Sequence, residues 1–168
     1  MKVSVLPNTL MFEGILDEET VPGDLTAAHS KLTSAGISPP VTVDFSRVEY
    51  ANSIGVVVWL KFTIESSLSF KYVNVPVWLV NQFNMIKGYF ENGSFVETVQ
   101  LPFFCPKTQE SRAFTMQLGK EIPILADYSN LKLSMMRFDG KEYELDVNPE
   151  RYFSFISENF ELFKEKIK

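Results

Sequence analysis

Apolar and polar residues follow two periods along this chain, and the changes between them predict its secondary structure. Alternation with a period of two indicates a strand, whereas apolar residues three or four positions apart indicate a helix. Proline, glycine and asparagine between such runs mark turns. For the first 104 residues the pattern predicts, in chain order, strands 2–6 and 10–16, helix 24–34, strand 41–45, helix 54–67, strand 75–80, helix 82–90 and strand 95–104.

Segment 54–67 carries two competing signals. Its residues 56–59 are rich in β-branched side chains, which favours a strand. The apolar run continues to Ile64, which is too long for a typical strand, and Asn52 and Ser53 suit the start of a helix. We interpret the segment as a helix, and a helix this apolar should be largely buried.

The predicted elements alternate between strand and helix after an opening pair of strands, which indicates an α/β fold with a mixed sheet and packed helices. The pattern changes after Cys105 to shorter strands, and Asn148 and Pro149 then suit a helix start. We therefore predict an α/β domain at residues 1–104 and a small β-rich appendage with a C-terminal helix at residues 105–168. The appendage would contain strands 113–118, 131–138 and 142–146 and a helix at 148–168.

Composition and charge exclude several classes of function. The 168 residues are 45% hydrophobic with a net charge of −5, and no basic cluster suggests a nucleic-acid partner. Cys105 is the single cysteine, so no intrachain disulfide can form, which fits a reducing, cytoplasmic location. No apolar run reaches the roughly 18 residues of a membrane span, and the N-terminal run is too short for a signal peptide.

The sequence carries no recognisable catalytic or metal-binding motif. His29 is the single histidine, and no cysteine or carboxylate pair lies near it in the sequence. Cys105 likewise has no histidine near it, so the pattern for Cys–His chemistry is absent. Phosphate-loop, dinucleotide and nucleophile-elbow motifs are absent. A structural zinc site needs four Cys or His ligands, and the chain after residue 100 offers only Cys105. We expect a protein that is not an enzyme and holds no cofactor or metal.

A motif runs through the predicted central strand and the helix after it: Asp44-Phe45-Ser46, then Val48, then Asn52-Ser53-Ile54-Gly55. It resembles the motif of STAS domains, the fold of anti-sigma-factor antagonists, where Asp, an apolar residue and Ser are followed after a short gap by Asp/Asn-Ser-Ser/Thr-Gly. The element order over residues 2–104 is also similar to that family. The resemblance implies a STAS-like mixed sheet and a protein–protein binding role in a bacterial regulatory pathway.

In the STAS family the serine aligned with Ser53 is the usual phosphoacceptor, and the loop and helix around it contact a kinase-like anti-sigma factor. The resemblance implies that the phosphoacceptor and partner-binding residues are Ser53, Asn52, Asp44, Ile54 and Gly55. Asn52 and Ile54 depart from the family, which usually has an acidic residue and a small polar residue there. The residues alone leave two structural alternatives open, Ser53 as a helix N-cap and Asp44 as a loop cap.

Two further segments resemble the zinc-ribbon tail that some STAS-like proteins carry. They are Phe103-Phe104-Cys105-Pro-Lys-Thr108, where a Cys-x-x-Cys pair would stand, and Pro149-Glu-Arg-Tyr-Phe153. Thr108 takes the place of the second cysteine, and the other pair would fall at residues 134–137, where no cysteine occurs. The resemblance implies a ribbon that has lost its metal and is held together by apolar side chains.

Two other functions stay open at this point. The chain could be a non-phosphorylated STAS subunit of a larger assembly, such as a lipid-transport complex, or a module that binds a small ligand or nucleotide. The sequence names neither the partner nor the oligomeric state.

Overall fold

The computed structural model describes residues 2–17, 22–34, 36 and 38–167. It confirms the predicted α/β class, with helices packed on a mixed sheet and a second, smaller sheet after it. The elements are β1 Lys2–Leu6, β2 Thr9–Leu16, α1 Pro22–Ser34, β3 Val41–Ala51, α2 Ser53–Glu65, β4 Phe70–Val73, α3 Val77–Met85, β5 Phe95–Val96, β6 Thr98–Cys105, β7 Glu110–Gln117, β8 Met136–Phe138, β9 Lys141–Leu145, α4 Pro149–Tyr152, α5 Ser154–Glu158 and α6 Phe160–Lys166.

The first sheet has the strand order β1-β2-β3-β4-β5, with β1 antiparallel to β2 and the other neighbours parallel. Trp59 of α2 packs against Phe70 and Tyr72 of β4, and Tyr72 also contacts Phe83 of α3. These contacts place α2 and α3 over the same face of the sheet. The core is therefore a layer of aromatic side chains between sheet and helices.

Strand β3 is longer than expected and contains two bulges. Its pairing with β2 advances from Asp44 to Arg47 while β2 advances only from Met11 to Glu13, and a second shift lies between Gly14 and Ile15. Each bulge adds one residue to β3, so the buried positions no longer alternate after Phe45. Residues 46–51, which follow the predicted strand 41–45, belong to β3 as well.

The second sheet has the order β7-β6-β9-β8, and all of its pairs are antiparallel. It curls so strongly that its two edge strands meet through their side chains. The ring of Phe114 on β7 lies 5.9 Å from the ring of Phe138 on β8, and the guanidinium of Arg112 lies 4.7 Å from the same ring. We call this curled sheet, residues 98–145, the ribbon.

The C-terminal helices return to the first sheet instead of packing only on the ribbon. The ring of Phe155 lies 5.9 Å from Phe83 of α3, and the ring of Phe163 lies 5.4 Å from Phe90. Asn84 of α3 joins the two segments, because its side chain donates to the carbonyl oxygens of residues 151 and 152 and accepts from two donors of α5. The predicted domain boundary after residue 104 stays a prediction, and these contacts run across it.

Two predicted elements between residues 70 and 90 are wrong. Residues 75–80 do not form a strand, since β4 is Phe70–Val73 and the chain enters helix α3 directly after Pro76. The helix predicted at 82–90 accordingly lies earlier, at Val77–Met85. Leu79, Val80 and Phe83 are buried at helical spacing, and a proline at a helix start needs no N–H partner.

The strand predicted at 95–104 is two strands that belong to different sheets. Phe95 and Val96 pair with β4, whereas Thr98–Cys105 pairs with β7 and β9. Glu97 stands at the change, where its N–H donates to the carbonyl of Tyr72 at 2.8 Å. The sequence of this segment does not show the change of sheet, because the residues on both sides of Glu97 are compatible with a strand.

Three further boundaries differ from prediction. Helix α1 begins at Pro22 and not at Asp24, and only Met136–Phe138 of the predicted strand 131–138 pairs as a strand. The single C-terminal helix that the sequence predicts is three short helices, which are separated at Phe153 and Asn159. Its predicted last residue, Lys168, lies outside the described residues. Its first cap was predicted correctly, since the Asn148 side chain accepts from the N–H of Arg151.

Candidate partner-binding site at the start of helix α2

Asn52 connects the end of the sheet to the start of helix α2. Its side-chain oxygen accepts from the N–H of Gly55 at 2.9 Å, and its own N–H donates to the carbonyl of Leu16 at 3.0 Å. Asn52 is therefore the N-cap of α2. The alternative of Ser53 as the cap is wrong, because Ser53 is the first residue of the helix proper.

Gly55 allows the helix to approach the sheet closely. A Cβ atom at this position would overlap the backbone carbonyl of Leu16 and crowd the N of Asp17. Glycine is the residue that permits such an approach of two backbones. The Asn-Ser-x-Gly sequence thus fixes where α2 begins and how close it lies to β2.

Ser53 is exposed at the positive end of this helix. The first turn of α2 contains no acidic residue. Among the described residues, no side-chain hydrogen bond of the Ser53 hydroxyl is seen. A phosphoryl group on this hydroxyl would point into solvent beside the positive end of the helix dipole, which favours negative charge.

Exposed apolar side chains surround the end of the sheet where Ser53 lies. Ile15 and Tyr50 are register partners at the ends of β2 and β3 and are 44% and 56% exposed, and Ile54 of α2 is 53% exposed. We call Ile15, Tyr50 and Ile54 the apolar rim. Single exposed apolar residues are common, whereas a larger exposed apolar group marks a candidate interaction surface.

Asp44 does not belong to this group. Its carboxylate accepts from the N–H of Ser46 at 2.8 Å and from the side chain of Asn74 at 2.9 Å. From its partner Met11 to the end of β2 at Leu16 the strand rises about 16 Å, and Ser53 lies beyond that end. Asp44 therefore links β3 to the residue that follows β4. This role is structural, as in the loop-cap alternative, although Asp44 lies within a strand and not in a loop.

Basic side chains are sparse around Ser53. Arg47 lies on β3 and forms an ion pair with Glu13 at 3.6 Å. Lys61 lies two helical turns away, along α2. Phosphate sites that order a segment usually supply arginine pairs, and the described residues near Ser53 offer none.

The tip of the ribbon contains Cys105 and Thr108, where the resemblance implies a Cys-x-x-Cys pair. Cys105 is buried, and the Thr108 hydroxyl, followed by the N–H groups of Thr108 and Lys107, lowers the pKa of its thiol. Beside it, the carboxylate of Glu110 accepts from the ammonium of Lys141 at 2.7 Å and from the hydroxyl of Tyr143 at 3.2 Å. The described part of the chain contains no group of three or more His, Cys, Asp or Glu residues that could hold a metal ion.

The expectation that helix α2 is largely buried is wrong in part. Its buried residues are Gly55, Val56, Trp59 and Thr63, which form one face. The opposite face carries exposed apolar residues as well, so the helix has more apolar side chains than the sheet can cover. The sequence contained this signal, since the apolar residues of segment 54–67 lie on all sides of a helix.

No protein-family model, no curated protein and no solved structure matches this chain. The resemblance to STAS domains therefore rests on the motif and the element order. Within the described residues, no helix is long and apolar enough to cross a membrane.

Proposed function

We propose that this chain is a STAS-like protein that binds a protein partner in a bacterial regulatory pathway, in the manner of an anti-sigma-factor antagonist acting in the cytoplasm. The contact surface is the start of helix α2 with the apolar rim. The observation that carries the proposal is an exposed serine at the first position of a helix, beside Ile15, Tyr50 and Ile54, which are each close to half exposed.

Partner binding would remove the apolar rim from water. Burial of apolar surface contributes about 25 cal/mol per Å², and tyrosine is among the residues that most often dominate the binding energy of an interface. Tyr50 and Ile54 therefore act as anchors, while Asn52 and Gly55 hold the start of the helix in position. The role assigned to these residues is recognition and not catalysis.

Phosphorylation of Ser53 would weaken this binding. A phosphoryl group adds a charge of about −1.5 to −2 at neutral pH. The free protein tolerates that charge at the helix N-terminus, where it is solvated. In the complex the same charge would have to be desolvated against an apolar surface, which costs free energy unless the partner supplies a cation. The site would thus bind in the unmodified state and release in the phosphorylated state.

The test uses the partner that co-purifies from the native cell with the tagged full-length chain. Calorimetry should give the same affinity for Ser53→Ala as for the wild type and a markedly lower affinity for Ser53→Asp. Ser134→Asp is the matched control, because it adds the same charge at an exposed position of the ribbon. Equal affinities for the alanine and aspartate variants of Ser53 would reject the phosphorylation switch.

One observation favours a second function, that of a constitutive subunit of a larger STAS-containing assembly. The apolar rim is more typical of a permanent interface than of a transient one, since obligate interfaces are the more apolar. In that case Ile54→Asp should abolish co-purification, and mass spectrometry of the chain from the native cell should find Ser53 unphosphorylated in both the bound and the unbound fraction. Phosphate on Ser53 in the unbound fraction alone would support the regulated role.

A further inference from the structure

The exposed crest of helix α2 continues beyond the apolar rim. Ile54, Val57, Lys61 and Ile64 follow one another at intervals of three, four and three residues, and Val57 and Ile64 are 47% and 45% exposed. This spacing is that of the a and d positions of a heptad, which align along one side of a helix. We infer that this crest is a docking seam for an amphipathic helix of another protein that carries a carboxylate opposite Lys61.

The inference rests on the proposed function and specifies the kind of partner. From Ile54 to Ile64 the seam covers eleven residues, and its ends are about 15 Å apart at the usual rise of a helix. That length is about three turns, which suits a helix lying along α2 and is long for the tip of a single loop. The opposite face, with Trp59 at its centre, is already buried against the sheet.

A groove beside the seam provides a second contact. It lies between α1 and α2, has a volume of about 310 Å³, and is lined by Leu25, Val58 and Phe62 with Lys61 and Glu65 at its edge. Leu25 is buried, while Val58 and Phe62 are half-buried, so the floor of the groove is apolar. An apolar side chain of the docked helix would enter it, as in helix-in-groove recognition.

The charge of Lys61 selects the occupant. Within the described residues its ammonium forms no ion pair, although Glu65 follows one turn later. A second copy docked in parallel would set Lys61 against its own equivalent, and an antiparallel copy would set it against Val57. Neither arrangement supplies a carboxylate, whereas a lysine at an a position favours pairing with a different, acidic helix.

The first measurement is site-specific crosslinking in the native cell. The probe is the photoreactive residue p-benzoylphenylalanine in place of Val57, with the same replacement of the exposed Met85 on α3 as the matched control. Sequencing of the crosslinked peptide should give an amphipathic helix of another protein with an acidic residue near the crosslink. A crosslink to a second copy, a crosslinked segment without helical apolar spacing, or no crosslink at Val57 would overturn the inference.

The second measurement tests the charge on the crosslinked partner. Lys61→Glu should weaken binding about tenfold, and reversing the partner's acidic residue to lysine should restore it. Unchanged affinity for Lys61→Glu would overturn the inference even if the partner is helical. Because this test leaves Ser53 intact, it can succeed while the phosphorylation switch fails, so failure of the two proposals can be told apart.

Discussion

The first sheet and the ribbon hold their aromatic side chains in different ways. The rings over the first sheet form one connected network that reaches the C-terminal helices: Phe12, Phe45, Trp59, Phe62, Phe70, Tyr72, Phe83, Tyr89, Phe90, Phe155 and Phe163. The ribbon has a separate and smaller group, in which Phe114 contacts the rings of Phe103, Phe138 and Tyr143. The connected network therefore joins rings from residues 12–90 to rings from the C-terminal helices.

This difference shows which parts of the chain depend on each other. Phe155 and Phe163 lie in the last fifteen residues, yet they complete the core of the first sheet. The ribbon closes its own group by curling, with Glu110 and Lys141 at its tip. The C-terminal helices are therefore part of the α/β core, and the ribbon is inserted between β5 and those helices.

The largest expected effect follows from removing the C-terminal helices. A fragment of residues 1–104 lacks Phe155 and Phe163 and would expose Phe83 and Phe90 to water. We expect it to lose cooperative thermal unfolding and to bind a hydrophobic dye, as states with exposed apolar surface do. Circular dichroism against temperature and dye fluorescence measure both effects.

A point substitution provides the control for the fragment. Phe155→Ala should cost about 3–5 kcal/mol of unfolding free energy, since the side chain is buried among three rings. Phe160→Ala, in the same segment but only half-buried, should cost clearly less. A stable, cooperative fragment 1–104 would show that the predicted domain boundary is also a folding boundary.

The second effect concerns the backbone contact that positions helix α2. Gly55→Ala should destabilise the protein by about 3 kcal/mol, because the added methyl group overlaps the carbonyl of Leu16 and backbone cannot move aside easily. Denaturant titration measures the loss. Ser53→Ala, two residues earlier and exposed, serves as the control and should change little. Equal stability of both variants would mean that the helix can shift away from β2 at low cost.

Much of the first sheet could be predicted from the sequence, and the exceptions have physical causes. The alternation of apolar and polar residues predicts β1 and β2, and the length of apolar segment 54–67 predicts helix α2. The predicted strand 41–45 is shorter than β3 because the two bulges interrupt the alternation of buried and exposed residues after Phe45. The change of sheet at Glu97 depends on which strands are neighbours, and no local period contains that information.

The third effect separates two adjacent residues of the candidate site. Asn52→Ala should cost about 1 kcal/mol, the usual value for a lost N-cap, because the N–H of Gly55 loses its acceptor. Ser53→Ala should cost only a few tenths, since Ser53 is not the cap. Thermal unfolding of the two variants gives the comparison. A larger loss for Ser53→Ala than for Asn52→Ala would reverse the assignment of the cap.

The candidate site was predictable only where it depends on local chemistry. Asn-Ser-x-Gly located the start of the helix, which lies at Ser53, one residue before the predicted start. The separation of Asp44 from Ser53 was not predictable, because it depends on the full length of β3. The seam of Val57 and Ile64 was hidden for another reason: an apolar helix gives no sign of which side the sheet leaves uncovered.

The smallest expected effect concerns the tip of the ribbon. Hydrogen bonds from Lys141 and then Tyr143 lower the pKa of Glu110 below its ordinary value of about 4.3, and the bond to Glu110 raises the pKa of Lys141. A carboxyl group with a lowered folded-state pKa stabilises the fold above its unfolded-state pKa and loses that contribution as the pH falls through the folded value. A lysine with a raised folded-state pKa stabilises the fold at pH values below its unfolded-state pKa. That stabilisation is lost as the pH rises through the folded-state pKa.

Both groups therefore stabilise the folded protein at neutral pH. Glu110→Gln should remove the part of this stabilisation that is lost as the pH falls. Denaturant midpoints of the wild type and the variant should differ at neutral pH and converge as the pH falls below about 4, where the wild-type carboxyl becomes protonated. Lys141→Met should bring the same convergence, because it removes the main donor to that carboxyl. Convergence absent from both variants would mean that the pair of Glu110 and Lys141 does not contribute to the stability of the ribbon.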